Sequence, residues 1–530
     1  MPGLTIYSTL DNRHFIHPVL KFFPNYKHRI IKEGRIHISV TAYDEYPIRT
    51  FITSEYTFII EGDIYESNEN INSKLELVCI ELFQKKTSVY LKEFINNTDG
   101  EYIITCYNNS SNQIFVFNDY LGRLPFYYLE NETTVAASRE ISFITENLKP
   151  QLNKYACAEF LLFGYPLGNN TLHENCNRLM PASLLKINSD NKTITHTSII
   201  DLNFENTNSK IIKSEDIVKS LVYEFNSSIL RRVKKHTNIT LSLSGGLDSR
   251  AIMGSFDTLN IDCRIRTYSD YNKTAKSDIE VVKKLTKLKK NKFKIVNLNK
   301  SSKHHEEILL GIKKGLNYSG MSFILDYFEK IKQNKTSLWT GDGGDKVLTN
   351  LHPLRTIFSK NDLLKYILQK NQIFNLNEVS KLLNIPKNSL KSHLIEHLDK
   401  YPERKLINKH LRFMMMERGF KWLYEGEDRN RYYFPSISPF YSIAFYKLVM
   451  EVPHKLKYDF KLYTRFLNQI STPIANIPNA NWNFSINNFY KIKLLYLKQS
   501  IKSWLQLLIK YNNTEDRIKE AYYHTYTKVK

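Results

Sequence analysis

Five residues in the stretch LSLSGGLDSR, Leu241 to Arg250, have the types and spacing for phosphate chemistry: Ser244, Gly245, Gly246, Asp248 and Ser249. A phosphate chain needs several backbone N–H groups converging on it, which residues without a Cβ allow, and it gains further from the positive end of a helix. With Leu243 closing the strand before it, this loop offers both. Neither G-x-x-x-x-G-K-S/T nor G-x-G-x-x-G is present, and S-G-G-x-D-S carries an aspartate where the first of those has lysine. Asp248 can hold Mg2+, which neutralises a pyrophosphate. A second glycine loop, Gly341-Asp342-Gly343-Gly344-Asp345, again presents carboxylates, and Asp248 and Asp345 could share one hard cation on phosphate oxygens. Each loop alone also reads as an ordinary glycine turn. The two in this order favour the phosphate reading.

The loops need strands behind them. Ile239, Leu241 and Leu243 alternate with Thr240, Ser242 and Ser244, and a helix is predicted from SRAIMGSF onward. CRIRTYS and FKIVNL read as strands on either side of the helix DIEVVKKLTKL, and SLWTGDGGD as a strand ending in the second loop. That alternation predicts a parallel α/β sheet whose ligands sit at the carboxyl ends of its strands. Residues 1 to about 200 differ: RIHISV, TFIIEGDIYE, EYIITCYNN, NQIFVFND, PFYYLE and TVAAS are short strand-like runs, interrupted by the helical INSKLELVCIELFQKK. The polar segment Asp201 to Asp216 is the candidate boundary between the two units, and the chain beyond about Leu351 is mostly helical. KIKLLYLKQSIKSWLQLLIK, apolar on one side and lysine-bearing on the other, is expected to pack on its own domain rather than on a membrane or a partner. His304 and His305 point to different faces of one helix and are read as solvated surface rather than metal ligands.

A chain of 530 residues with 42% hydrophobic residues is expected to hold two or three domains and to be globular. The net charge of +22 is lopsided: residues 1–200 carry 18 Lys and Arg against 22 Asp and Glu, so the basic excess lies beyond them. Such a half can meet a nucleotide, an acidic substrate or nucleic acid, or be a lysine-rich solvated surface. Cys79, Cys106, Cys157, Cys176 and Cys263 form no C-x-x-C pair, which argues against a zinc site or a disulfide framework and fits a reducing cytoplasm. The N-terminus lacks a signal-peptide layout and no stretch has the length of a membrane span.

LSLSGGLDSR resembles the PP-loop of ATP pyrophosphatases, and TGDGGDKVL is similar to the G-E-G-x-D-E loop of the asparagine synthetase family. NDYLGRLPFYY, AASREISF and FLLFGYPLGNNTLHENCNRLMPASLL resemble that family's earlier motifs, and EGEDRNRYYFPSISPFYS and VPHKLKYDFKLYTRFL its later ones. The resemblance implies an α+β N-terminal-nucleophile-type domain, an αββα sandwich, over 1–205. It implies an α/β PP-loop synthetase domain with a parallel sheet and a helical C-terminal part over 206–530. The implied activity is that of a carbon-nitrogen ligase, which adenylates a carboxylate with ATP, releases pyrophosphate and lets an amine displace AMP. In that reading Leu243, Ser244, Gly245, Gly246, Asp248, Ser249, Asp342 and Gly343 bind nucleotide, and Asp248 and Asp345 hold Mg2+. The resemblance also implies the catalytic residues. Lys461 and Arg465 in DFKLYTRFL match the family's late lysine, which stabilises the charge developing in acyl transfer, and its following arginine, with a surface lysine as the plain alternative. Glu427 with Arg429 matches its E-x-R, whose glutamate orients or deprotonates the amine.

The departures are informative. Pro2 stands where the family's glutaminase has its nucleophilic cysteine, so glutamine hydrolysis by that route is not expected. Lys346 replaces the second glutamate of the second loop. A synthetase behind a silent glutaminase domain resembles β-lactam synthetase and the macrolactam synthetases of lasso peptides, where substrate carboxylate and amine share one molecule. The expectation is an ATP- and Mg2+-dependent ligase acting on a small-molecule or peptide carboxylate. Asparagine synthesis with free ammonia and a tRNA-modifying PP-loop enzyme are the alternatives.

Overall fold

The computed structural model describes residues 2–10, 13–108, 111–205, 214–288, 293–333, 335–508 and 515–530. Residues 206–213 of the expected boundary and 509–510 of the lysine-rich helix lie outside the described residues. Before Asp201 the described strands are β1 (Gly3–Thr9), β2 (Lys27–Lys32), β3 (His37–Ala42), β4 (Ile48–Ile52), β5 (Tyr56–Ile64), β6 (Gly100–Asn108), β7 (Gln113–Asn118), β8 (Tyr127–Glu130), β9 (Thr134–Ser138), β10 (Cys176–Arg178), β11 (Ser183–Asn188) and β12 (Thr193–Ser198). They form two antiparallel sheets, ordered β10-β8-β9-β1-β3-β2 and β12-β11-β7-β6-β5-β4.

Period-two alternation makes these sheets a sandwich. In β5, Ile59 faces inward to a core shared with Leu4, Ile6, Ile38 and Val40 of the other sheet. Its neighbours Phe58 and Ile60 face outward and are covered by Leu75 of the helix Asn68–Ile80 and Phe94 of the helix Val89–Asn97. On the opposite outer face, Tyr7 and Ala136 are covered by Phe143 and Ile144 of the helix Ile141–Leu148. The result is helix, sheet, sheet, helix.

The later strands are β13 (Ile239–Ser242), β14 (Arg264–Ser269), β15 (Phe293–Asn297), β16 (Ser337–Trp339) and β17 (Ser436–Ile437). All four pairings are parallel and the order is β15-β14-β13-β16-β17. The edge strand β17 is only two residues long, too short to leave a periodic signal. Leu241, Ile265, Trp339 and Ile437 stack in the core beneath the helix Asp248–Thr258. Beyond Lys360 the described elements are helices apart from β17.

The two units share buried surface. The inner core of the sandwich continues into Ile308, Leu325, Phe328 and Phe434. The helix Lys154–Phe163, in the first unit by sequence, packs Phe160 and Leu161 against Leu363, Ile367 and Leu394 of the C-terminal helices. Tyr26 donates its hydroxyl to the carbonyl of Tyr432 at 2.7 Å. One expectation needs correction here. His304 is exposed, but His305 is buried and its Nε2 lies 3.1 Å from Glu329. The lysine-rich helix, Phe489–Leu508, does bury Ile492 and Ser503 in its own domain, yet it leaves a second apolar face uncovered.

Candidate active site

The two glycine loops meet because β13 and β16 are neighbours, with Leu241 opposite Trp339 and each loop following its strand's carboxyl end. In the first loop the Ser244 N–H donates to Ser249 Oγ at 3.0 Å, the two hydroxyls lie 3.1 Å apart, and the Gly246 N–H points at Ser244 Oγ at 3.3 Å. The Leu243 side chain is in the core and its N–H donates to the Arg266 carbonyl, so it fixes where the loop begins. The Gly245 N–H donates to Asp278 Oδ1 at 2.7 Å. This carboxylate, from the first turn of the helix Lys276–Leu288, rests on the loop where an anionic ligand oxygen would lie. Arg250, fully buried, donates to the carbonyls of Gly245, Gly246, Ile474, Ile477 and Pro478 and thereby ties the loop to the end of the helix Lys461–Ala475.

Asp248 sits against the second loop. A Cβ on Gly344 would fall 2.7 Å from Asp248 Cγ, and one on Gly341 would fall 2.5 Å from the Ser249 nitrogen, so only glycines permit this approach. The Asp345 N–H donates to Asp248 Oδ2 at 3.2 Å and the Tyr463 hydroxyl donates to Asp248 Oδ1. Burial and the facing Asp345 carboxylate push the Asp248 carboxyl up to about 7. Two carboxylates held together so that one resists ionising form a pair that a divalent cation would satisfy, with phosphate oxygens and water completing its shell. Lys346 ion-pairs with Asp345 and takes one side of that carboxylate. Among the described residues no cluster of three or more His, Cys, Asp or Glu could hold a metal without such help.

Gly343 has φ of +97° and its absent side chain makes room for the Tyr441 ring. Asp342 accepts from the Thr340 hydroxyl at 2.8 Å, and burial followed by Glu427 raises its carboxyl to about 6. Lys461 opens the helix that carries Tyr463, is half-buried, and lies 3.6 Å from Asp459. Arg465, one turn on, is exposed. Tyr463, Arg250 and Asp278 were not singled out from the sequence. Tyr463 and Arg250 lie inside motifs already quoted, and Asp278 carries no local pattern that would mark it.

Beside the second loop, past the short helix Gly344–Leu348, lies a cavity of about 490 Å3. Its walls include Lys370, Arg418 and Lys502 with Trp482 and Tyr496, and no aspartate or glutamate. His410, also in the wall, has Nδ1 2.9 Å from the Leu351 carbonyl and no partner for Nε2; burial lowers it to about 4. Burial also lowers Lys370, and neighbouring Lys502 and Arg355 add to the effect. The cavity wall thus carries three cationic side chains and no carboxylate.

Glu427 lies close enough to the second loop to act on Asp342, but its carboxylate is engaged elsewhere. It belongs to the helix Tyr424–Asn430, which lies against the sandwich, and both its oxygens accept from Arg123 at 3.1 Å. Arg123 also pairs with Glu101 at 2.9 Å, Arg139 with Glu61 at 2.6 Å and Asp428 at 2.8 Å, and Arg178 with Glu425 at 2.9 Å. Lys313 reaches both Glu425 and Asp428. Burial alone would raise Asp428, but Lys313 and Arg139 hold its carboxyl down at about 2. Leu4 donates its N–H to Glu61, and a Cβ on Gly3 would fall 2.4 Å from that carboxylate and 2.7 Å from Arg139. The ground next to Pro2 is therefore filled by ion pairs.

Residues 53–198 match the family described as glutamine amidotransferase domain, a match that does not reach Pro2. Among solved structures the chain is similar to a glutamine phosphoribosylpyrophosphate amidotransferase from B. subtilis complexed with ADP and GMP, at 8% identity and a TM-score of 0.26 over 77% of this chain and 94% of that one. It is also similar to a structure described as the allosteric regulatory enzyme of purine biosynthesis, at 11% identity and a TM-score of 0.23 over 56% of this chain and 74% of that one. No curated protein sequence matches. Residues 53–198 are thus a glutamine-amidotransferase-like domain.

Proposed function

We propose that the chain is an ATP-dependent, amide-forming ligase of the asparagine synthetase type, whose amidotransferase-like domain serves as a scaffold. Its substrate carboxylate attacks the α-phosphorus of ATP, pyrophosphate leaves, and an amine then attacks the acyl carbon and expels AMP. One observation carries the reading. Asp248, at the head of a serine-glycine loop, is packed against Gly344 and Gly341 so that its carboxylate faces Asp345.

In this reading the Ser244–Gly246 N–H groups and the Ser249 hydroxyl bind the departing pyrophosphate, and phosphate oxygens take the position on Gly245 that Asp278 holds. Mg2+, held by Asp248 and Asp345, would supply charge neutralisation at the phosphates. Tyr463 orients Asp248, Gly343 would bring its backbone to the nucleotide with the Tyr441 ring packed on its other side, and Asp342 takes the place of the family's glutamate. Lys461, at the start of the helix that carries Tyr463, would offer a positive charge to the acyl-transfer oxyanion. Glu427 acts through Arg123, as part of the contact between the two units. The cation-walled cavity supports a larger acidic or peptidic carboxylic acid as the acyl donor rather than aspartate.

The test is exchange of labelled pyrophosphate into ATP in the presence of candidate carboxylates, from aspartate to short acidic peptides. Substrate-dependent exchange that Asp248→Asn and Asp345→Asn each abolish is the expected outcome; full exchange in both variants refutes the metal assignment. Robust conversion of aspartate and ammonium to asparagine would instead establish the smaller substrate.

A further inference from the structure

The helix Phe489–Leu508 carries Tyr490, Leu494, Leu497, Ile501, Trp504 and Leu505 on one side, each between 42% and 85% exposed. At about 100° per residue these six span roughly a quarter of the helix circumference. The opposite side, with Ile492 and Ser503, is buried, while Tyr496 and Gln499 face the cavity. The exposed stripe is therefore not the packing face. Lys493 borders it on one edge and Lys491, Lys498 and Lys502 on the other, and the segment 489–508 contains no Asp or Glu. Phe358, 70% exposed, adds to the stripe from a separate segment, its ring 6.4 Å from that of Trp504.

We propose that this face is a docking surface for anionic phospholipid, with the helix lying in the headgroup layer, the stripe among the upper acyl chains and the flanking lysines at phosphate depth. Charge selects the occupant. A second copy pairing stripe to stripe would set lysines against lysines with no acid on the helix to offset them. Shape also selects it. The stripe is a ridge about 22 Å long that needs a groove in a rigid partner but sinks into a fluid surface without one. Aromatic rings stand at both ends, at Tyr490 and Trp504, the residue types that settle at a lipid-water boundary. Lysine stems flanking an apolar stripe can lie over hydrocarbon while their ammonium groups stay at the phosphates. No described helix is long and apolar enough to cross a membrane, so the attachment is peripheral. Because the same helix walls the cavity through Tyr496 and Gln499, the attachment would place the proposed acyl site near the lipid surface.

The experiment is co-sedimentation of the full chain with phosphatidylcholine vesicles, with and without about one-third phosphatidylglycerol, across a salt series. Binding to the anionic vesicles at least about tenfold tighter than to neutral ones, weakening with salt, is expected. The double variant L497E/I501E should lose about tenfold or more of that binding while its Mg·ATP affinity and thermal unfolding stay unchanged. The variant K493Q/K498Q should lose mainly the salt-dependent part. Absence of vesicle binding, or binding indifferent to both variants, overturns the proposal. So does dimerisation in sedimentation velocity that L497E/I501E abolishes, which would give the face to a second copy, or an acidic protein partner in the absence of vesicle binding.

Discussion

Replacing Arg139 by methionine tests whether buried ion pairs join the two units. Arg139 is fully buried, its Nε lies 2.6 Å from Glu61 of the sandwich, and one terminal nitrogen lies 2.8 Å from Asp428 of the second unit. Methionine keeps much of the volume and removes the cation from between two buried carboxylates. Breaking such a pair costs about 3 to 5 kcal/mol, because a carboxylate is left without its counter-ion. Each of these keeps another partner, Glu61 through the Tyr46 hydroxyl and the Leu4 N–H and Asp428 through Lys313, so the lower end, about 3 kcal/mol, applies. At roughly 2 cal/mol/K per residue, a chain of this length unfolding as one body would lose about 3 °C in Tm. Differential scanning calorimetry measures it, and because core and ion pairs both cross between the units, a single transition is expected. The Asp428→Leu variant completes a cycle, and the double variant should be less destabilised than the two singles together by at least about 1 kcal/mol. A loss below about 0.5 kcal/mol for Arg139→Met, or strict additivity, would show that the network does not hold the units together.

Three other outcomes follow from the geometry. Asp278→Asn removes the carboxylate from the Gly245 N–H and should lower the apparent dissociation constant for Mg·ATP by about threefold or more, measured by titration calorimetry; weaker binding would make Asp278 a support for the loop instead of a stand-in. Gly344→Ala should cut nucleotide-dependent pyrophosphate exchange by about a hundredfold or more with circular dichroism unchanged, since the added methyl meets Asp248, and near-normal exchange would refute the close approach. Lys421 is buried with its ammonium on the Asn170 carbonyl, and burial and Arg178 lower it from 10.5 to about 7. The denatured chain therefore holds a proton that the native chain releases between those values, so the destabilisation is complete below pH 7 and fades above it. Relative to Lys421→Met, the native protein should gain up to about 1.4 kcal/mol per pH unit from pH 7 to 9, and a parallel pH profile for the two proteins would refute it.

Much of the architecture was legible where periodicity is strong. Ile239, Leu241 and Leu243 marked the strand before the first loop, and RIHISV, TFIIEGDIYE and TVAAS fall on β3, β5 and β9. That the loops face each other followed from strand adjacency, which the alternation implied but could not order. β17 leaves no mark in the sequence because two residues have no period, and Asp278 leaves none because a carboxylate acting across strands has no local spacing. The ion pairs of Arg139 reach Glu61, 78 positions away, and Asp428, 289 positions away, so no window of sequence contains them. The lysine-rich helix is legible only in part. A single amphipathic pattern predicts one buried face, whereas this helix is apolar on two, and only the packed neighbours show which one remains uncovered.

Arg250 has a consequence for binding energetics. Its guanidinium is neutralised by no carboxylate among its hydrogen-bond partners; it rests on five carbonyl oxygens, three of them where the helix Lys461–Ala475 runs out, and burial brings it down to about 10 without removing its proton at neutral pH. The loop thus has a permanent positive charge built in behind it, screened by dipoles that stay in place when an anion arrives. A polyphosphate entering in front of Gly245 and Gly246 would feel that charge without first having to break an ion pair, and without the cation having to move.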